Sequence, residues 1–147
     1  MLSGLWPRLD QRPRVRGLEP NVAAEVLMRA GVLTGWIGSG QITNAQEQAK
    51  DFISESLSIF ESRNYKKKIA EAQTELALCY MRLGEYENAS DLLKLALAQL
   101  SNDNELKARA ILRSGIVKRH ASLRCSSADR RSGITAIAAT KRNQFGT

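Results

Sequence analysis

Apolar residues recur every three or four positions between Asn21 and His120, and polar or turn-forming residues separate the periodic stretches. Such spacing places apolar side chains along one face of a helix. The pattern therefore predicts an all-α fold of five helices. Their expected bounds are about Val22–Trp36, Thr43–Ser62, Lys68–Leu83, Tyr86–Leu100 and Glu105–His120.

Residues with capping or turn preferences mark the ends of these helices. Asn21 is expected to be the N-cap of the first helix, and Thr43 with Gln46 forms an S/T-x-x-E/Q capping box for the second. The polar segment 63–67 is expected to be a loop. Gly84 permits a short reversal, so the third and fourth helices are predicted to be antiparallel neighbours.

The helices repeat one another in sequence, which is typical of a repeat architecture. A shift of 40 residues aligns the apolar positions of the second helix with those of the fourth, from Ala49–Phe60 to Ala89–Leu100. A shift of 84 residues aligns the first helix with the fifth. That second comparison pairs Ala24, Leu27, Met28, Arg29, Ala30, Gly31 and Val32 with Ala108, Ile111, Leu112, Arg113, Ser114, Gly115 and Ile116.

The best-defined unit is similar to the tetratricopeptide repeat, a hairpin of a helix A and a helix B. The residues that carry the resemblance are Leu76, Ala77, Tyr80, Gly84, Tyr86, Ala89, Leu93 and Ala96. The sequence around Ser56–Phe60 further resembles the repeats of MalT-like bacterial regulatory proteins. The resemblance implies antiparallel helix-turn-helix repeats stacked as an α-solenoid, in which the A helices line a concave groove that binds a partner.

These observations divide the chain into three parts. Residues 1–20 are expected to be irregular, 21–120 to form about two and a half repeats, and 121–147 to be a disordered basic tail. The third repeat has a helix A but no recognisable helix B. A true tail and a truncated product both explain this, and truncation is favoured because the face of Ile111, Leu112 and Ile116 would otherwise be partly uncovered.

The net charge of +7 is concentrated at one end of the chain. Residues 41–110 hold 9 basic and 11 acidic groups, whereas residues 111–147 hold 8 basic and 1 acidic group. A nucleic-acid-binding domain usually clusters its basic residues on a folded face. The alternative function that remains open is a nucleic-acid-linked transcription regulator that uses the basic tail.

No residue pattern indicates an enzyme, a cofactor or a metal site. His120 has no acidic neighbour, Cys79 lies within a helical pattern as a small packed thiol, and the glycines at 35, 38 and 40 follow a helix rather than a strand. A phosphatase acting on an aspartyl phosphate would have only Glu71, Glu75 and Arg82 to use. With two cysteines, no signal segment and no membrane span, the chain is predicted to be cytoplasmic.

The predicted function is a protein-protein interaction scaffold that presents its A-helix groove to a peptide or helix, with a protein or peptide as partner and no small-molecule substrate. The outward positions of the A helices are the candidate contacts. Those predicted to bind the partner are Glu25, Met28, Glu71, Thr74, Leu78, Met81, Arg82, Arg109 and Arg119, and Val32, Trp36, Leu112 and Ile116 extend the same set.

Overall fold

The computed structural model describes residues 4, 6–9, 11–101 and 105–124, and among them it contains helices and no β-strand. The all-α prediction is therefore confirmed for this part of the chain. The helices are α1 (Pro20–Ile37), α2 (Ala45–Ser62), α3 (Lys66–Leu83), α4 (Tyr86–Gln99) and α5 (105–124), and a single 3-10 turn, Gly38–Gly40, follows α1. None of the described helices is long and apolar enough to cross a bilayer.

The N-cap of α1 is Glu19, so the prediction of Asn21 is wrong. Pro20 occupies the first helical position, where its fixed backbone angle suits the helix and its missing N–H is not needed. The carboxylate of Glu19 then accepts a hydrogen bond from the backbone N–H of Asn21 at 3.3 Å. The helix begins one residue earlier than the cap that the sequence pattern indicated.

The predicted capping box of α2 does not form. Asn44, in the left-handed conformation with φ of 60°, precedes the first helical residue, Ala45. The side chain of Gln46 donates instead to the carbonyl oxygen of Gly35 at 2.7 Å and to the hydroxyl of Ser39 at 2.7 Å. The local sequence predicts that Gln46 caps α2, but its side chain makes a tertiary contact with the end of α1 instead.

Two further helix ends lie outside their predicted bounds. Lys66 and Lys67 belong to the first turn of α3 rather than to a loop, because Asn64, with φ of 55°, completes the turn after α2 within a few residues. At the other end, α5 continues through residues 121–124, which were assigned to a disordered tail. The rest of that predicted tail, residues 125–147, lies outside the described part of the chain.

Consecutive helices pack antiparallel through small residues. A Cβ atom on Gly31 would lie 2.6 Å from Cγ1 of Ile53 and 2.9 Å from the carbonyl oxygen of Ala49, whereas Gly35, one turn later, faces the earlier residues of α2. The buried clusters continue this order through the molecule. Phe60 packs with Ile69, Ala77 with Ala89 and Leu93, and Ala96 and Leu100 with Ala70 and Leu106.

The segment before α1 lies against the first hairpin without forming a helix. Trp6 and Val15 pack against the buried side chains of Leu27, Ala30 and Phe52. Arg12 pairs with Glu55 of α2 at 2.6 Å, in an exposed position. This segment thus covers the part of the α1–α2 hairpin that faces away from α3.

Candidate partner-binding face

One stripe of α3 meets side chains from both α1 and α5. Helical spacing places its members on one side of α3, since they recur at intervals of three and four residues. We call this stripe, together with the α1 and α5 side chains that contact it, the A-helix face. Its α3 members are Lys68, Glu71, Glu75, Leu78 and Arg82.

Four charged side chains join α1 to α3 at the N-terminal end of this face. Arg29 pairs with Glu25 at 2.9 Å and with Glu71 at 2.9 Å. Lys68 contacts the same two carboxylates, at 2.9 Å from Glu25 and 3.1 Å from Glu71. Each charge therefore has two partners of opposite sign, and the alternating arrangement holds the two helices side by side.

The environment of this network changes the proton affinity of its members. Partial burial alone would raise the pKa of Glu25, but hydrogen bonds and charge from Lys68 and Arg29 outweigh it, so the pKa of Glu25 lies below its ordinary value. For Lys68 and Arg29 burial acts to lower the pKa, yet their carboxylate partners raise it above the ordinary value. All three groups are charged at neutral pH.

A second ion-pair group joins α3 to α5. The side chain of Glu75 is only 6% exposed. It accepts a hydrogen bond from Arg113 at 3.0 Å and another from Arg109 at 3.3 Å. Arg113 also donates to the carbonyl oxygen of Thr74 at 2.6 Å. Arg109 in turn pairs with Glu105, one turn earlier on α5, at 3.0 Å. The carboxylate of Glu75 is thus satisfied by two guanidinium groups in a nearly dry position.

The C-terminal end of α1 is closed by a side chain from α3. Arg82 donates to the carbonyl oxygen of Gly35 at 2.6 Å, a group at the end of α1 that also accepts from Ser39 and Gln46. The guanidinium of Arg82 lies 5.2 Å from the ring centre of Trp36, within the range of a cation–π contact. Trp36 itself is 62% exposed.

A similar arrangement occurs between α5 and α3. Arg124 donates to the carbonyl oxygen of Gly84 at 2.9 Å and lies 5.5 Å from the ring centre of Tyr86. The ring of His120 is also stacked on Tyr86, with the two ring centroids 5.8 Å apart. In both places an arginine donates to a carbonyl oxygen at the C-terminal end of the helix that lies two helices earlier in the chain.

The predicted contact residues divide into three groups in the structure. Met28 and Thr74 are completely buried, so their predicted outward position is wrong. Met28 belongs to the core between α1, α2 and α3, and the Thr74 hydroxyl donates to the carbonyl oxygen of Ala70 at 2.7 Å. Burial excludes both side chains from direct contact with a partner in this conformation.

The second group lies on the A-helix face or beside it. Glu25, Glu71, Arg82 and Arg109 take part in the interactions described above, and Leu78 and Met81 are half-buried. The third group consists of Arg119, which is exposed and lies about 80° around α5 from Arg109, because ten residues separate them. Arg119 therefore points along another side of α5, with Leu112.

Sequence reasoning left out three charged residues that organise this face. Arg29 and Arg113 hold the α1–α3 and α3–α5 joints, and Lys68 completes the first network. A signal for two of them was present, since the shift of 84 residues keeps an arginine at positions 29 and 113. Which carboxylate each would meet depended on how the helices pack, which the repeat comparison does not contain.

The remaining chemical candidates do not assemble into a catalytic arrangement among the described residues. Burial raises the pKa of the Cys79 thiol to about 11, so it is a neutral thiol at physiological pH rather than a nucleophilic thiolate. Within the same described part of the chain, no group of three or more His, Cys, Asp or Glu side chains is placed to hold a metal ion. The carboxylates of Glu71 and Glu75 are both engaged by basic partners.

Comparison with protein-family models, with curated proteins and with solved structures finds no match for this sequence. In the part of the chain that the structure describes, the architecture is a set of five helices, each packed against its neighbours.

Proposed function

We propose that this protein is a helical-repeat scaffold of the tetratricopeptide type, which binds a peptide or helix of a partner protein across the A-helix face. In this proposal α1–α2 and α3–α4 are successive repeats of an α-solenoid, and α5 is the helix A of a third. The resemblance to bacterial regulatory repeats suggests a cytoplasmic role in regulation or signalling. The protein acts by presenting a surface rather than by catalysis.

The observation that carries the proposal is the pair of Trp36 and Arg82. A large indole ring is exposed at the edge of the A-helix face, and a guanidinium fixed by the Gly35 carbonyl lies over it. Tryptophan and arginine are the residue types that most often dominate binding energy at protein interfaces. Because Arg82 is already held in place, little side-chain freedom would be lost on binding.

The ion pairs limit the chemistry that such a partner can use. Glu25, Arg29, Lys68 and Glu71 neutralise one another, and Glu75 is enclosed by two arginines. The contacts left for a partner are therefore mainly apolar, from Trp36, Leu78 and Met81. A peptide with an apolar side chain for this area and an acidic group near Arg82 fits best.

The test is a selection of random peptides displayed on phage against the full chain, followed by affinity measurement of the enriched peptides. Met81→Ala combined with Trp36→Ala should weaken their binding by roughly tenfold or more, since both side chains belong to the proposed contact. Trp36 is exposed and Met81 half-buried, and a thermal melt of the variant verifies that it is folded.

The matched control changes two exposed residues on α4, Lys94→Ala with Leu95→Ala, and should leave peptide binding unchanged. If the enriched peptides bind the Trp36/Met81 variant as well as the unaltered chain, the A-helix face is not the binding site. If no peptide is enriched and the chain binds a DNA duplex with steep salt dependence, the nucleic-acid alternative replaces the proposal.

A further inference from the structure

The side of α5 that faces away from the molecule carries an apolar stripe. Its residues recur at intervals of three, four and seven, so they lie in one line along the helix. Ile111 is 54% exposed and Leu112 is 66% exposed. The opposite side of α5 holds the buried residues Leu106, Ala110 and Val117. We call the exposed line the outer stripe; it consists of Ala108, Ile111, Leu112 and Gly115.

The same residues, 84 positions earlier, form a helix–helix interface. Ala24, Leu27 and Met28 are fully buried, and Gly31 is buried beneath α2. A Cβ atom on Gly31 would come within 2.6 Å of Ile53 and 2.9 Å of the Ala49 backbone. The interface between α1 and α2 thus depends on a glycine that lets the two backbones approach closely. The outer stripe of α5 repeats this surface without a described helix against it.

Gly115 is the residue of the outer stripe that the described contacts leave unexplained. A glycine within a helix destabilises that helix relative to alanine. A Cβ atom at Gly115 would meet nothing within 4 Å, and its backbone is ordinary helix, so neither space nor conformation requires a glycine there. A glycine would be needed at this position if a further helix packed on Gly115 as closely as α2 packs on Gly31.

Charge indicates what kind of helix fits. Helix α5 carries six basic residues and one acidic residue, whereas α2 carries four acidic residues and one basic residue. Exposed Arg119 occupies the position equivalent to Gly35, beside which α2 places Gln46, whose Oε1 would lie 3.5 Å from a Cβ atom on Gly35. An acidic residue at the Gln46 position would therefore meet the guanidinium of Arg119.

We propose that the outer stripe of α5 binds an acidic amphipathic helix of a partner protein, which completes the third hairpin in the way that α2 completes the first. Such a helix carries small residues at two positions seven apart, as Ala49 and Ser56 are in α2, with a branched apolar residue where α2 has Ile53. An acidic residue precedes them near the helix N-terminus. The site is distinct from the A-helix face and does not depend on it.

Two other occupants fit the outer stripe less well, one because of its charge and one because of burial. Residues 125–147 of this chain carry four basic residues and one acidic residue, the same sign as α5. In a second copy of the chain, the faces of α2 and α4 that carry the small residues Ala49, Ser56, Ala89 and Ala96 are already buried in its own core. A partner's acidic helix avoids both conflicts.

The test uses a fluorescent synthetic peptide with the sequence of α2, Ala45–Ser62, and a second peptide with Gln46→Glu, titrated against the full chain by fluorescence anisotropy. Both should bind saturably. Gly115→Leu should weaken binding by roughly tenfold or more, because its side chain blocks the close approach. Leu112→Ser should weaken it as well, whereas Leu95→Ser, which alters another exposed leucine, on α4, should not.

The charge prediction is tested by combining chain and peptide changes. Gln46→Glu in the peptide should improve binding about threefold to tenfold with the unaltered chain, and this gain should disappear with Arg119→Gln. A peptide with Ala49→Leu should bind poorly to every chain, since it removes the small residue at the closest contact. Equal binding of this peptide and the unaltered α2 peptide contradicts the proposed packing.

Three results would overturn the proposal. The first is an absence of peptide binding, or binding that Gly115→Leu leaves unchanged. The second is a dimer in light scattering that Leu112→Ser converts to a monomer, which would assign the stripe to a second copy. The third is a rise in peptide affinity when Ile134→Asp and Ile137→Asp are introduced together, which would assign it to this chain's own residues 125–147. A failure of the A-helix face test affects none of these measurements.

Discussion

Helices α1 and α5 carry the same sequence pattern and differ in what covers it. Leu-Met-Arg-Ala-Gly at 27–31 and Ile-Leu-Arg-Ser-Gly at 111–115 are equivalent in register. In α1 the apolar residues and the glycine are buried under α2, whereas in α5 they form the exposed outer stripe. The side that α5 buries against α3 and α4 corresponds to the side of α1 where Val22 and Leu33 are exposed. Within the described residues, α1 and α5 therefore lack different neighbours.

This difference shows that α1 and α5 each have two apolar sides, and that burial of a side depends on which helices lie beside it. Helix α3 lies between two hairpin partners and buries nine residues, including the polar Gln73, Thr74 and Glu75. The terminal helices bury only one of their two sides. Because burial of a side chain is worth about 1.5 to 3 kcal/mol, equivalent residues should contribute very unequally to stability.

The largest difference is expected for the paired apolar residues. Met28→Ala should lower the free energy of unfolding by about 3 kcal/mol, since it leaves a cavity in a fully buried site. Leu112→Ala, at the equivalent but exposed position, should change it by less than about 0.5 kcal/mol. Urea denaturation followed by circular dichroism measures both, and similar losses at the two positions would mean that a helix already covers α5.

The two glycines should respond in opposite directions. Gly31→Ala should lower the free energy of unfolding by about 2 kcal/mol, because the new methyl group meets Ile53 and the Ala49 backbone. Gly115→Ala should raise it by up to about 1 kcal/mol through better helix propensity in open space. Thermal melts of the two variants beside the unaltered chain are sufficient, and a loss at Gly115 would contradict the open stripe.

The equivalent arginines should also differ in their contribution to stability, but here the residue of α5 should contribute more than the residue of α1. Arg113→Ala should cost about 1.5 kcal/mol, because it removes one of two partners from the nearly dry carboxylate of Glu75. Arg29→Ala should cost no more than about 0.5 kcal/mol, since the side chain of Arg29 is 52% exposed and Lys68 remains to pair with both carboxylates. Denaturant melts at matched salt compare the two, and a greater loss at Arg29 would refute the assignment.

The smallest effect concerns pH at the α1–α3 joint. The pKa of Glu25 is lowered in the folded protein, so its contribution to stability is present above the unfolded pKa of about 4.3 and is lost as pH falls through the folded pKa. Glu25→Gln should therefore be slightly less stable than the unaltered chain at pH 7, by less than about 1 kcal/mol, and the difference should disappear once the pH has fallen below the folded pKa of Glu25. A constant difference across this range would indicate that Glu25 acts through packing rather than charge.

The candidate site was predictable in part. The helical pattern placed Glu25, Glu71, Arg82 and Arg109 on or beside one face, and in the structure each of them makes a contact between two helices, through an ion pair or a hydrogen bond. The same pattern placed Met28 and Thr74 outward, although both are buried. A helix that packs against neighbours on two sides leaves fewer exposed positions than an amphipathic pattern with one apolar side predicts. Sequence spacing alone does not reveal that second side.

By itself, the sequence determined the helices, their order and the small residues that bring them together, because propensity, periodicity and the turn at Gly84 act over a few residues. Tertiary structure alone decided which carboxylate each arginine meets, why Gln46 contacts Gly35 instead of capping α2, and why Gly31 is buried while Gly115 is exposed. These outcomes depend on groups far apart in the chain, and similar local sequences acquire different surroundings once neighbouring helices pack beside them.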